Sequence, residues 1–460
     1  MTDPTDVTSG APAAVADPPE PRRRWPVRRI HPAWIVAAVA FVALIGAAGF
    51  RAAPGVLIVP LEEEFGWSRS VLSAAVSVNL VLFGLTAPFA AALMDRFGLR
   101  RVTASALVLV AVGSGATVWM TASWQLVLCW GVLIGLGTGS MALVFAASVA
   151  QRWFVRRRGL VVGVLTAGSA TGQLIFLPVM AWIAQSYGWR LATLVITAAA
   201  LAVVPLVLLL LRDKPSDVGV RAYGAEDADE LDPTPNQPEL AMEPGAAQLA
   251  STAGIPRAGP ARVAIEALRD AARTRPFWAL AIGFAICGAS TNGIIGTHFI
   301  PAAHDHGMHT TTAAGLLAVV GVFDIVGTIF SGWLTDRFDP RILLGAYYLL
   351  RGASLAVLPA LLTDTVEPSV LVFVIFYGLD WVATVPPTIA LCRSLYGDRG
   401  TVVFGWVFAS HQLGAALAAT AAGVVRDVTG AYTLTWLSAG GLCLVAAVLS
   451  MRVSRTPAKV

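Results

Sequence analysis

Twelve long apolar runs succeed one another along the chain, each broken by glycine and small residues and separated by short polar stretches. They fall near 33–58, 70–94, 101–121, 125–150, 159–184, 190–211, 276–302, 313–335, 341–362, 369–391, 401–425 and 432–452. A helix needs about 20 apolar residues to cross a bilayer, and every run reaches that length. Small residues within such runs let neighbouring helices approach closely in lipid. The pattern predicts an all-α polytopic membrane protein with twelve transmembrane helices in two six-helix halves, at 31–211 and 276–452. The polar remainder comprises a Pro/Ala/Asp-rich tail over 1–30, a linker over 212–260, a lead-in over 261–275 and a short tail over 453–460. The linker holds seven prolines, an acidic stretch at Glu226–Asp232 and no apolar period, so it reads as disordered. Residues 261–273 read as an amphipathic helix on the membrane surface.

Composition agrees with the pattern. Of 460 residues, 56% are hydrophobic and only 13% charged, with mean hydropathy +0.71. A soluble domain carries about 25% charged residues. Soluble enzymes, nucleic-acid binders and disordered proteins are therefore excluded together. Lys and Arg set the orientation: 27 of 32 lie on the side of the two tails, three lie on the other side, and two lie inside spans. That asymmetry predicts both termini in the cytoplasm of a cell-membrane protein. The N-terminal tail lacks the apolar core of a secretory signal. The four cysteines all lie in or beside apolar runs and suggest neither a disulfide framework nor a metal site. No nucleotide-binding GxxxxGK[ST] loop occurs, and no other cofactor motif, so the expectation is no cofactor and no ATP drive.

The two halves repeat. Asp95-Arg96-Phe97 and Asp336-Arg337-Phe338 each close a second span, 241 residues apart. Gly159 and Gly400 open the fifth spans at the same offset of 241. Pro32 and Pro276 are 244 apart, Gly188 and Gly430 242. The stretch Ala91-x-x-x-Asp95-Arg96-x-Gly98-x-Arg100-Arg101 resembles the signature between helices 2 and 3 of the major facilitator superfamily, with Ala91 in place of the first glycine. Gly332-x-x-x-Asp336-Arg337 is the weaker second copy. The resemblance spans all twelve runs and implies a cytoplasmic latch. Asp95, Arg96, Arg100, Arg101, Asp336 and Arg337 become gating candidates, with topology anchoring an equal alternative for the arginines. Phe65-Gly66-Trp67-Ser68-Arg69, Arg152-Trp153-Phe154 with Arg157-Arg158-Gly159, and Thr274-Arg275-Pro276-Phe277-Trp278 resemble the monocarboxylate transporter and oxalate–formate antiporter branch. That branch implies a small carboxylate anion moved with a proton or by exchange.

Charges inside spans are costly and mark function by default. Arg51, Asp324, Arg351 and Asp380 are such charges. Asp324, Arg351, Asp380 and His411 lie about 16–20 Å along their helices, near the midplane where transporters of this kind hold cargo. Two carboxylates share one arginine, so one carboxylate is left to carry a proton. The reading pairs Asp324 with Arg351 and gives Asp380 the proton, because tenth helices line the cavity in the resembled family. A purely structural ion cluster joining helices 8, 9 and 10 is the alternative. Many transporters of the branch carry Asp and Arg four residues apart in the eighth helix; here Asp324 matches, but Thr328 stands where the Arg would be. Arg51, about 28 Å up helix 1, is either a carboxylate-binding guanidinium or a side chain reaching the headgroups or Glu62–Glu64. Asn79, Gln173, Asn292, Thr384, Gln412 and His411 are candidates to bond cargo or to bridge helices, and Tyr377 and Trp381 to floor the cavity or simply pack. His298, His304, His306 and His309 read as an ordinary external loop. Together these features predict a secondary active transporter of a small organic anion, most plausibly a monocarboxylate, working as a monomer by alternating access coupled to protons or exchange. A proton-coupled exporter of drug-like or neutral solutes is the second reading. A non-transporting sensor lacks a signalling domain, and an enzyme lacks a catalytic constellation.

Overall fold

A computed structural model describes residues 31–141, 143–225 and 260–454. The tail expected over 1–30, most of the expected linker (226–259) and residues 455–460 lie outside the described residues. Twelve long helices run in chain order: α1 Pro32–Phe65, α2 Arg69–Phe97, α3 Leu99–Thr117, α4 Ser123–Trp153, α5 Arg158–Tyr187, α6 Trp189–Leu210, α7 Arg275–Asp305, α8 Thr310–Thr335, α9 Pro340–Ala360, α10 Pro368–Tyr396, α11 Gly400–Thr429 and α12 Thr433–Met451. Eleven are long and apolar enough to cross a membrane by length and composition; α5, of 30 residues, completes two sets of six. Large apolar side chains such as Leu417, Val428 and Ile329 stand at least 70% exposed, as a lipid-facing surface requires.

Local chemistry sets the ends. Pro32 opens α1 beneath the His31 ring, whose Nδ1 accepts from the Ala33 N–H at 3.2 Å. Ser68 caps α2 by accepting from the Val71 N–H at 3.4 Å. Asp339, followed by Pro340, does the same for α9 through the Arg341 N–H at 3.1 Å. Gly66, at φ 64°, lets α1 end in a left-handed turn that other residues resist.

Between the halves, α2 packs along α11, α1 against α7 and α5 against α8. Inside the second half some crossings are backbone to backbone. A Cβ on Gly288 would sit 1.8 Å from the His411 carbonyl oxygen, one on Gly414 2.0 Å from that of Ala285, and one on Gly327 1.9 Å from that of Leu379. Dispersion at this range, not hydrophobic exclusion, holds helices together in lipid.

Three departures from regular helix matter for the site. Stretches Val127–Ile134 in α4 and Ala289–Ile295 in α7 are π-helical. A turn at 381–384 interrupts α10. Its cause is Pro386-Pro387: neither has an N–H to donate, and each ring crowds the carbonyl four residues back. On the face where α1 begins and α12 ends, residues 212–225 lie packed on the first half. Asp213 accepts from the Arg100 N–H at 2.8 Å, and the Tyr223 N–H donates to the Trp153 carbonyl at 2.9 Å. The Tyr223 ring also meets His31, Trp34 and Phe154. A lead-in helix, Pro260–Ala271, buries Ala264, Ala267 and Ala271 against α2 and α11.

Candidate functional site

A cavity of about 100 Å³ lies between the two halves at mid-height. Asn79, Gln173, Asn292, Asp324, Trp381 and Gln412 all line it, so the topology brings together six of the residues singled out from sequence. The irregular helix segments place several of them. Asn292 sits within the π-helical turn of α7, whose spare carbonyl accepts from Thr297 Oγ1 at 2.9 Å. Asn79 Nδ2 donates at 2.7 Å to the Trp130 carbonyl in the π-helical turn of α4. Gln412 is 1% exposed and its Oε1 has no hydrogen-bond partner among the described residues, an acceptor left for a donor from cargo.

Asp324 points from α8 to the break in α10. Its Oδ1 accepts from the Val382 N–H at 3.0 Å and from Thr328 Oγ1 at 3.1 Å. The break frees that N–H, and Thr328 fills the place where the resembled branch has an arginine. Both hydrogen-bond partners are neutral. No Lys or Arg among the described side chains lines the cavity. Arg51 belongs to α1 between Phe50 and Pro54, which do line it.

The pairing of the midplane charges differs from the sequence expectation. Arg351 binds Asp380, not Asp324: its Nε donates to Asp380 Oδ2 at 2.5 Å. The reason is the α10 break. It strands carbonyls, and Arg351 Nη2 donates to those of Asp380 and Trp381 at 2.6 and 3.2 Å. Nη1 reaches Cys287 Sγ at 2.9 Å. Arg351 is fully buried, and its pair with Asp380 sits in the second half, outside the cavity wall. Thr384 also lies off the cavity, with Oγ1 3.2 Å from Cys287 Sγ. So does His411, whose ring stacks on Phe408 and leans on Phe284. Tyr377 donates to the Ser290 carbonyl at 2.8 Å.

None of the gating candidates makes a bond between the halves among the described residues. Asp95 pairs with Arg152 at 2.5 Å, Arg96 lies over the Phe97 ring, and the Arg100 N–H is taken by Asp213. Arg337 stacks on Trp333 and donates to its carbonyl at 3.0 Å. Arg101 and Asp336 are exposed. At the opposite face His298 is not in a loop. It is fully buried in α7, with ring nitrogens 3.0 Å from the Tyr432 hydroxyl and 2.9 Å from the Ala419 carbonyl. Arg69, Asp305 and Arg426 were not among the site candidates drawn from the sequence; they form one partly buried network across the halves. Their partners lie 236 residues away in the case of Arg69 and Asp305, and no local pattern encodes that.

Two six-helix halves around a small cavity of mixed apolar and polar lining, with Asp324 in its wall, are the architecture of a membrane transporter. The sequence pattern of the Major Facilitator Superfamily matches residues 39–419, and the chain belongs to that family. It is thus a multi-pass membrane protein and not an enzyme. Among its relatives, the uncharacterised MFS-type transporter YcxA of Bacillus subtilis (strain 168) is 25% identical over 92% of this chain and 95% of its own. Monocarboxylate transporter 13 of Rattus norvegicus is 26% identical over 89% of this chain and 86% of its own. Monocarboxylate transporter 11 of Homo sapiens is 28% identical over 89% and 80%. Among solved structures, a bacterial homologue of the human lysosomal transporter Spinster, inward-facing and unoccupied, superposes with TM-score 0.70 at 15% identity, covering 93% of this chain and 98% of its own. A D-xylose–proton symporter gives 0.66 at 15% identity, covering 92% and 98%.

Proposed function

We propose that this protein carries a small monocarboxylate together with a proton by alternating access, acting as a monomer with both termini in the cytoplasm. The observation that carries the reading is the cavity of about 100 Å³ with Asp324 in its wall, bonded only to neutral partners. Pockets that hold drug-sized ligands measure roughly 300–1,000 Å³. A cavity this small suits a solute of a few heavy atoms and counts against the drug exporter. The relatives named monocarboxylate transporters point to the same cargo class.

The charge balance explains the coupling. Arg51, next to Phe50 of the cavity wall along α1, supplies the cation that pairs with the cargo carboxylate, in the two-pronged geometry guanidinium favours. Asp324 accepts the proton. Loaded with both, the site sums to zero and crosses the closed intermediate without a stranded charge. Empty of proton, Asp324 resists that passage. Asn79, Gln173, Asn292 and Gln412 give cargo its hydrogen bonds, and Trp381 supplies an apolar wall. Arg351–Asp380 serves as the brace of the α10 break. Asp95, Arg96, Arg100 and Arg101 at the α2–α3 junction, with Asp336 and Arg337 between α8 and α9, latch the cytoplasmic side when it shuts.

Uptake of labelled two- to four-carbon monocarboxylates into proteoliposomes, with and without an imposed pH gradient, tests this. Saturable uptake driven by an inward proton gradient is expected. Absence of uptake for every acid, with transport of larger neutral or cationic solutes instead, would overturn it.

A further inference from the structure

At the face where α1 ends and α2 begins the two halves are tied by charge. Arg69, the first residue of α2, is 4% exposed. Its guanidinium donates in parallel to both oxygens of Asp305, Nη1 to Oδ2 and Nη2 to Oδ1, each at 2.8 Å. Nη1 also donates to the Tyr432 hydroxyl at 3.0 Å. Asp427, at the end of α11, accepts from the N–H groups of Arg69 and Ser70 at 3.1 and 3.0 Å, which meets the positive end of α2 with a carboxylate. Arg69 and Ser70 belong to the first half; Asp305, Asp427 and Tyr432 belong to the second.

Each member of the central pair has another partner, and that partner lies in its own half. Arg69 Nε donates to Glu62 Oε2 at 2.8 Å, and both are first-half residues. Asp305 Oδ2 accepts from Arg426 Nε at 2.7 Å, and both are second-half residues. Separating the halves therefore breaks Arg69–Asp305 and leaves two complete ion pairs. Removing one partner of a buried pair is ordinarily severe, because a charge is left uncompensated. Here neither side is left so.

We infer that Glu62, Arg69, Asp305 and Arg426 form a partner-exchange gate at this face, in which Glu62 and Arg426 hold the charges of the open state. The gate is joined to the cavity through α7. Asn292 and Thr297 line the cavity, His298 touches Tyr432 beside Arg69, and Asp305 ends the helix. The inference rests on alternating access but not on the identity of the cargo.

The gate makes an unusual demand: removing bonds from one network must move the equilibrium in opposite directions. Asp305→Asn removes the ion pair between the halves, leaving the Asp427 and Tyr432 bonds to Arg69, and favours opening. Glu62→Gln and Arg426→Gln leave the tie in place but strand Arg69 or Asp305 once the halves part, so they favour closure. Glu62 and Arg426 side chains are 36% and 26% exposed, and their neutral variants remove no core packing. Spin labels at Glu63→Cys and His309→Cys, exposed sites on the two halves at this face, report the distance across the gate. The four described native cysteines are buried. Pulsed electron–electron distance measurements on the full chain in nanodiscs then read the ratio of open to closed populations, with no need for cargo. Asp305→Asn is expected to raise that ratio at least about threefold, and Glu62→Gln and Arg426→Gln to lower it by a similar factor. A rise in all three variants would mean an ordinary latch whose bonds simply add, and would overturn the inference. An unchanged ratio in Glu62→Gln and Arg426→Gln would overturn it too. Neither result depends on whether monocarboxylates are transported.

Discussion

Replacing Arg351 by Met removes a buried charge from the middle of the second half. Arg351 is 0% exposed and holds Asp380 Oδ2 at 2.5 Å and the carbonyls of Asp380 and Trp381 at 2.6 and 3.2 Å. Asp380 is 6% exposed, and its Oδ1 has no hydrogen-bond partner among the described residues to fall back on. Breaking a buried pair from one side costs about 3–5 kcal/mol. Two carbonyls left bare at the α10 break are included in that loss, at roughly 1–3 kcal/mol for an unmet buried group. Arg351→Met should therefore lower the midpoint of thermal unfolding by about 6 °C or more, at about 2–4 °C per kcal/mol for a unit of this size. Replacing both partners, Arg351→Met with Asp380→Leu, removes the stranded carboxylate and leaves only the carbonyl part. About half of the lost stability should return. Tryptophan-fluorescence melts in nanodiscs, run at one scan rate, measure both. The reasoning fails if the single variant costs less than about 1 kcal/mol, or if the double variant is as unstable as the two singles added together.

Two further outcomes follow from the packing and the charge balance. Gly327→Ala would put a Cβ 1.9 Å from the Leu379 carbonyl oxygen, forcing α8 from α10 and Asp324 from the Val382 N–H. Overpacking of this kind costs about 1–3 kcal/mol, and proton-driven uptake should fall about tenfold or more at equal membrane expression. Arg51→Ala should abolish saturable carboxylate uptake, whereas Arg51→Lys, which keeps the charge but not the fork, should keep part of it with a raised KM; equal KM in all three proteins would remove Arg51 from the cargo site.

The helical layout was legible because each run is long and apolar, and some carry a cap signal, as with Ser68 before α2 and Asp339-Pro340 at α9. The six residues around the cavity were legible as well, since polar groups inside spans are few and conspicuous. The partner of Arg351 was not. Its direction depends on how α9 is rotated, and that is set by Gly352, whose Cβ position lies 2.9 Å from the Gly440 carbonyl oxygen of α12. No rule of spacing within α9 contains that contact. The break in α10 was written in Pro386-Pro387, and reading it would have freed the Val382 N–H for Asp324 and the carbonyls for Arg351. The tie at the far face joins Arg69 to residues more than two hundred positions away, so only the fold reveals it.

Asp324 is the centre of the account, and substitution by Asn separates its two roles most directly. Asn cannot ionise but keeps an oxygen for the Val382 N–H and nearly the same volume. In proteoliposomes the unaltered protein should accumulate labelled monocarboxylate under an inward proton gradient and also exchange it at equilibrium. Asp324→Asn should exchange labelled for unlabelled acid at a comparable rate, because cargo and Arg51 are still balanced, yet fail to accumulate it under the gradient. Gradient-driven accumulation that persists in Asp324→Asn would contradict the claim that this carboxylate carries the proton.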